Sequence, residues 1–346
     1  MRSTADLGVR AGLAAAVLFG ASTPLAKQLL NGVGPWALAG LLYSGAGVGL
    51  FIVRRVRRAP AVRLRRAELL PLAGAVFSGG MLAPLLLLVG LQHLPASGTS
   101  LLLNAEGVFT ALLAWFVFKE NVDRRIALGM ASIVAGAIVL TVSSRPGLES
   151  VWPSLAVLGA CACWGLDNNL TRKLALNDAT WLAMVKGGIA GPVNLGIALV
   201  VGTSFPAPAS IAAAAALGFL SYGVSLGLFI VSMRHVGTAR AGAYFSVAPF
   251  FGGVLALAMG ESLTPPLVIA GALMASGVWL HLSERHEHPH THEPLEHEHW
   301  HVHDEHHHHE HDLPVATGVR HSHPHVHEPL RHSHPHFPDS HHRHSH

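Results

Sequence analysis

Phe19-Gly20-Ala21-Ser22-Thr23-Pro24-Leu25-Ala26-Lys27-Gln28-Leu29 returns 145 residues later as Trp164-Gly165-Leu166-Asp167-Asn168-Asn169-Leu170-Thr171-Arg172-Lys173-Leu174. A second echo follows at an offset of 141. The stretch ending Leu112-Leu113-Ala114-Trp115-Phe116-Val117-Phe118-Lys119-Glu120 matches the one ending Val254-Leu255-Ala256-Leu257-Ala258-Met259-Gly260-Glu261. After each glutamate comes a short polar break and then an apolar run rich in glycine and alanine, 125–142 and 265–283. Self-similarity at a long, nearly fixed period means that one structural unit occurs twice.

The residues around the echo say what kind of unit it is. Half of the 346 residues are hydrophobic and 12% are charged, against about a quarter charged in an ordinary soluble domain. Apolar runs of about 20 residues, long enough to cross roughly 30 Å of hydrocarbon, are separated by short polar breaks. They predict helices near 8–30, 33–53, 68–92, 96–118 and 125–142, then 152–174, 180–201, 209–233, 238–259 and 265–283. Each copy therefore holds five spans, and an odd number forces the second copy into the membrane upside down relative to the first. The expected fold is all-α and integral to the membrane. Its ten transmembrane helices form two inverted five-helix repeats, 8–142 and 152–283, flanking a shared central cavity, with a disordered tail over 284–346. Arg2 and Arg10 before the first run give it the outline of a signal peptide. Its counterpart inside the chain and the lack of a cleavage site argue that it is retained.

Orientation follows from the basic residues. Arg54, Arg55, Arg57, Arg58, Arg63, Arg65 and Arg66 crowd the loop after the second span, which is therefore expected to face the cytoplasm. Counting outward, Lys119, Arg124, Arg125, Arg172, Lys173, Arg234 and Arg240 fall on the same side, and only Arg145 falls on the other. Both termini are then cytoplasmic and the bilayer is the cytoplasmic membrane. Residues 1–283 carry 19 Lys+Arg against 9 Asp+Glu, a net of +10. These charges sit in short loops, so they argue for topology and not for nucleic-acid binding. Cys161 and Cys163 lie two apart in an apolar run; they point in different directions on a helix and read as small packing residues.

With these residues in view, 8–283 resembles the drug/metabolite transporter superfamily in its two-domain EamA-like form. The resemblance rests on the five-plus-five repeat, the F/W-G pair early in each half, and the apolar helices ending in Glu120 and Glu261. The last of these is similar to the family's recurrent P…ALLAWL…GE pattern. Pro249 fits it in the second half, whereas Glu106-Gly107 stands where proline is usual in the first. The resemblance implies a ten-helix transporter that moves small metabolites.

Ionisable groups within a span are costly and are candidates for function. Glu106 falls near the middle of the fourth span, where a carboxyl costs far less neutral than charged. That suits a substrate, proton or ion-coupling group. Lys27 lies in the outer part of the first span, where snorkelling is an alternative role. Asp167, Asn168 and Asn169 lie one to two turns inside the sixth span, and Lys186 lies at matching depth in the seventh. An Asp167–Lys186 ion pair is expected, either as a gate that opens during transport or as a fixed bridge between two buried charges. Asn104, Asn194, Tyr222 and Tyr244 either line the cavity or stitch helices together. Glu120 and Glu261 are expected to shape helix termini. His93 and His235 occupy equivalent interfacial places. No nucleophile–base arrangement or phosphate loop is present, so an enzyme is not expected; nor does any motif set an oligomeric state.

The tail has a different chemistry. Residues 284–346 carry 4 Arg against 11 Asp+Glu and hold 24 of the 27 histidines. His286, His288, His290 and His292 alternate with other residues, as do His297, His299, His301 and His303. His306, His307, His308, His309 and His311 follow. The block then repeats at an offset of 35. His321, His323, His325 and His327 lead to His332, His334 and His336, and the chain ends with His341, His342, His344 and His346. With few apolar residues the tail cannot bury a core. Neutral imidazole is a good ligand for Zn, Ni, Co and Cu, so these histidines are expected to bind divalent transition metals and to release them below about pH 6. No cofactor is required for transport. The reading from sequence is a secondary transporter of small metabolites or metal complexes whose tail binds metal. The alternative is a membrane-anchored metal store or sensor.

Overall fold

The computed structural model describes residues 2–62, 64–118, 124–143, 151–203, 206–236 and 238–282, and in the tail 286–291, 295–301, 321–327 and 331–336. Lipid offers the backbone no hydrogen-bond partners, so each apolar run closes its own ladder as a helix. The first pass is α1 (Arg2–Gly20) and α2 (Ser22–Leu29), and the second is α3 (Pro35–Val56). The third runs α4 (Arg66–Ala75), a widened π-turn over Val76–Leu82, and α5 (Ala83–His93). The fourth is α6 (Ala96–Leu102) and α7 (Ala105–Phe118), and the fifth is α8 (Arg124–Ser143). α9 (Trp152–Val200) holds two passes, divided where Asp178 leaves helical geometry at φ −156°, ψ 87°. The eighth is α10 (Pro208–Gly218), a second π-turn over Phe219–Val224, and α11 (Ser225–Val236). α12 (Thr238–Phe245) and α13 (Ala248–Ala258) form the ninth, and α14 (Pro265–Leu282) the tenth.

Among the described residues, eight of these passes are long and apolar enough to cross a membrane, and the apolar Pro265–Leu280 is a shorter one. The first limb of α9 completes the ten-pass path. The duplication extends to the irregularities. The third and eighth passes both widen into a π-turn, and the fourth and ninth both break at their middle. At each break one polar side chain replaces the missing helical bond. Asn104 Nδ2 donates to the Leu101 carbonyl at 2.8 Å, and Ser246 Oγ to that of Ala243 at 2.8 Å. Both reach back three residues.

The two repeats are in close contact along their length. They interleave. α1 packs against α11, α12 and α13 of the second repeat, while the first limb of α9 packs against α5 and α7 of the first. α3 lies along the second limb of α9, and α8 along α14. The glycines of the F/W-G pairs sit in these crossings. A Cβ on Gly20 would strike the Ala248 carbonyl, and one on Gly165 would meet Phe109 and the Thr110 backbone at about 3.0 Å. The motif thus recurs because each copy's first helix must approach the other copy's fourth helix at backbone contact: Gly20 on the ninth pass, Gly165 on the fourth. Small residues at crossings are the usual means of tight packing in lipid, where the hydrophobic effect does not drive helices together.

In the tail, described by itself, His286–Thr291 (β1) pairs antiparallel with Arg331–His336 (β4), and Leu295–His301 (β2) with His321–His327 (β3). His288 stands opposite His334, and His299 opposite His323. Apolar content there is low, but H-x-H alternation has the two-residue period of a strand. His292, His303, His306, His307, His308, His309, His311, His341, His342, His344 and His346 lie outside the described residues, as does Glu120.

Gly20→Val should destabilise the detergent-solubilised protein by about 1–3 kcal/mol of overpacking, or more because the obstacle is backbone, and so lower its thermal unfolding midpoint. Gly188→Ala, where a Cβ meets nothing within 4 Å, should leave the midpoint unchanged. Equal effects of the two substitutions would contradict the packing described.

Candidate functional site

Widening a helix into a π-turn frees carbonyls from their usual partners, and such turns are frequent at functional sites. In the third pass the freed carbonyls belong to Gly79 and Gly80. Tyr43 Oη donates to Gly79 O at 2.7 Å and Trp164 Nε1 to the same oxygen at 3.0 Å, while Asn194 Nδ2 reaches Gly80 O at 3.4 Å. Side chains from the second, sixth and seventh passes thereby converge on one glycine pair. Only glycine fits at 79, because a Cβ there would run into the Asp167 carboxylate.

Asp167 is 2% exposed and forms an ion pair with Lys186 across the two limbs of α9. The other carboxylate oxygen, Asp167 Oδ1, and Asn194 Oδ1 are buried with no hydrogen-bond partner among the described residues. From the next residue, Asn168 Nδ2 donates to Glu106 Oε1 at 2.9 Å and to Thr110 Oγ1 at 3.3 Å. Asn169 Nδ2 bonds the Thr110 carbonyl at 3.1 Å. Glu106, Thr110, Ala114, Asn168 and Asn169 line an open groove of about 510 Å³ between α7 and α9. An aromatic run adjoins this polar ground. Tyr43 lies 5.7 Å from Tyr222, which meets Phe19 at 6.0 Å; Phe19 meets Phe245 at 5.2 Å.

The structure therefore gathers Glu106, Asn168, Asp167 and Lys186 into one region, with Asn194 and Tyr222 at its edge. Asn104 and Tyr244 are elsewhere. Asn104 serves the break in the fourth pass, close to Met274 Sδ, and Tyr244 packs on α1 at Gly12. Tyr43, Trp164, Gly79 and Thr110 belong to the site without any sequence signal that singled them out. Trp164 lay in the quoted repeat, but its partner is a carbonyl freed by a π-turn that periodicity does not reveal.

A second polar cluster lies at the end opposite the arginine loop. Lys27 Nζ donates to the Leu91 and Gln92 carbonyls, at 2.6 and 2.9 Å, in the last turn of α5. The Glu261 carboxylate accepts from the Ala96 and Ser97 amides, at 2.6 and 2.8 Å, in the first turn of α6. Cations favour helix C-termini and anions N-termini. Lys27 thus contributes to a helix end and not to the groove. On the arginine-loop side Arg54 bonds Asp178 at 2.6 Å and Thr180 at 3.0 Å, tying the end of α3 to the kink in α9. His93 stacks edge-on against Trp152 at 4.8 Å, and His235 Nδ1 lies 2.8 Å from its own helix's Val231 carbonyl.

The model of the EamA-like transporter family matches residues 6–142 and again 151–283, the two repeats. An uncharacterized transporter of Methanothermobacter thermautotrophicus is 28% identical over 289 residues, covering 78% of this chain and 84% of its own. A probable terminal-alkyne amino-acid exporter of Streptantibioticus cattleyicolor is 28% identical over 76% of this chain and 89% of its own. A probable amino-acid metabolite efflux pump of Salmonella typhimurium is 31% identical over 46% and 51%. A protein of known crystal structure superposes with a TM-score of 0.60 at 18% identity, covering 81% of this chain and 95% of its own, which is a likeness of fold.

Removing one member of the Asp167–Lys186 pair leaves a buried charge alone, a loss of about 3–5 kcal/mol. Lys186→Met should therefore depress the unfolding midpoint strongly. The double variant Asp167→Asn/Lys186→Met should recover most of the loss, and additive losses would show that the two groups are not coupled.

Proposed function

The chain belongs to the EamA-like transporter family, and from that premise we propose that it carries a small metabolite by alternating access through the groove beside Glu106. It is a multi-pass protein of the cell membrane and a small-molecule transporter. Our reading of the substrate is a small metabolite of the amino-acid kind, free or as a metal complex. The names of two relatives support this, and so does the site's composition: two carboxylates, one ammonium and an adjoining aromatic run suit a zwitterion with an apolar side chain.

Glu106 carries the proposal. It stands at mid-span in a groove that opens between α7 and α9, with Asn168 as a neutral partner and no opposing cation in hydrogen-bond contact among the described residues. A carboxyl so placed can exchange a proton as the groove changes its exposure, which couples transport to the proton gradient. Asp167 and Lys186 serve beside it as a charge pair that a zwitterion can divide between its own ammonium and carboxylate. Both termini are read as cytoplasmic, from the arginine loop and the charges that share its side.

The tail is read as a cytoplasmic binder of divalent transition metal, with zinc, nickel, cobalt and copper all suited to nitrogen ligands. A membrane-anchored metal store without flux remains the second reading, favoured by the density of histidine in the last 63 residues. The two readings separate in reconstituted vesicles. The chain truncated to 1–283 should still drive uptake of amino acids under a proton gradient. Glu106→Gln should lose at least about tenfold of the gradient-stimulated rate, and full retention would remove Glu106 from the coupling. Absence of flux for the parent chain across metals, amino acids and their complexes would favour the store.

Metal binding by the tail has its own measurement. The full-length protein should bind zinc or nickel at pH 7.5 in isothermal titration, whereas 1–283 should not. Because imidazole becomes cationic as pH falls through about 6.5, the bound metal should be lost by about pH 5.5. Equal binding by the two chains would place the metal elsewhere.

A further inference from the structure

The end of α3 carries a backbone conformation that its residue does not favour. Arg58 has φ 49°, the one positive φ outside glycine among the described residues. It closes the helix with a left-handed turn. The Arg58 amide donates to the Arg55 carbonyl at 3.2 Å, and the Ala59 amide to that of Arg54 at 3.0 Å. This closure takes glycine at the left-handed position by preference, because a Cβ there crowds the following carbonyl. An arginine held there points to a use for its side chain.

The turn is anchored on both sides. Arg54 donates to Asp178, to Thr180 and, at 3.0 Å, to the Pro60 carbonyl, which folds the chain back on the end of the helix. Leu64 packs against the buried cluster of Leu72, Val76 and Leu182. On this frame Arg57, Arg58, Arg65 and Arg66 are exposed. The one carboxylate near them in the chain, Glu68, accepts from the Arg65 amide at 2.7 Å and lies 3.9 Å from the Arg65 guanidinium. Arg57, Arg58 and Arg66 have no acidic partner among the described residues. Arg55 is turned back over the Phe51 ring at 5.3 Å. Arg63 lies outside the described residues and carries none of the argument.

Immediately inward of these charges both helices present apolar side chains. Val56 on α3 is 78% exposed and Leu70 on α4 is 82% exposed, with Ile52 and Leu69 exposed beside them. A soluble anion would meet the arginines alone. A phospholipid meets both chemistries, since guanidinium pairs with a phosphate through two parallel hydrogen bonds and the acyl chains cover the apolar side chains. We propose that the ends of α3 and α4, with the turn between them, form a site for an anionic phospholipid. Arg57, Arg58 and Arg66 hold its headgroup, Arg65 adds a partly offset charge, and Val56 and Leu70 meet its chains. Each basic group beside an anionic lipid surface favours binding by about fivefold.

The test is native mass spectrometry of the full-length protein in mild detergent, given equimolar phosphatidylglycerol and phosphatidylcholine with the same acyl chains. The parent should retain phosphatidylglycerol preferentially, and equal retention of the two lipids overturns the site. Arg57→Gln/Arg58→Gln should cut the preference about twentyfold. Arg10→Gln/Arg240→Gln removes two exposed arginines elsewhere and should change it less than about twofold. Equal losses from the two pairs would mean that net charge alone attracts the lipid, and they overturn the site, as does no loss from the first pair. Arg58→Gly separates lipid binding from folding. It should lower the preference about fivefold while the unfolding midpoint in lipid-free detergent holds or rises, because glycine suits the left-handed turn. A midpoint that falls shows that the arginine serves the fold and overturns its assignment. Inorganic phosphate or an acidic peptide, at the concentration of the lipid, should not displace phosphatidylglycerol. Displacement by either assigns the arginines to a soluble anion or to a protein partner and overturns the lipid site.

Discussion

A backbone carbonyl or amide without a partner costs several kcal/mol in hydrocarbon, and the informative parts of this protein lie where the helical ladder is interrupted. The third-pass π-turn frees Gly79 O, and Tyr43 and Trp164 come from two other passes to satisfy it. The fourth-pass break is closed by Asn104, and the ninth-pass break by Ser246. At helix ends Lys27 and Glu261 serve carbonyls and amides that belong to other helices. Polar side chains in the membrane are thus positioned first by what the backbone lacks. The groove and its charges are built on the scaffold that results.

This constraint explains why so few of the polar residues are free to meet a substrate. Asn104 and Lys27 are occupied by helix ends and breaks. Glu106 and Asn168 bond each other at the edge of an open groove, and Asp167 keeps one oxygen without a partner among the described residues. These polar groups therefore lie on the fourth, sixth and seventh passes, beside the aromatic run of the first, second, eighth and ninth.

Duplication leaves a different kind of mark. Both copies carry a π-turn in their third helix and a break in their fourth, and both place the F/W-G glycine at a helix crossing. These are irregularities, which drift does not preserve unless the backbone requires them. Their survival in both copies is consistent with a molecule whose two faces perform the same act in turn.

The amino-acid sequence by itself determined the ten passes, their grouping by fives and the inversion, because hydropathy and a 145-residue echo are properties of the chain alone. It also placed Glu106 at mid-span and Asp167 level with Lys186, since depth in the membrane follows from counting along a helix. Rotation about the helix axis and the choice of neighbour do not follow from counting. Only the tertiary structure decided that the copies interleave, that Asn104 turns to its own backbone while Asn168 turns to Glu106, and that Tyr43 and Trp164 share one carbonyl. In lipid every helix face is apolar enough to be a candidate contact, so which faces meet is settled by close glycine approaches and by the few polar groups that need partners.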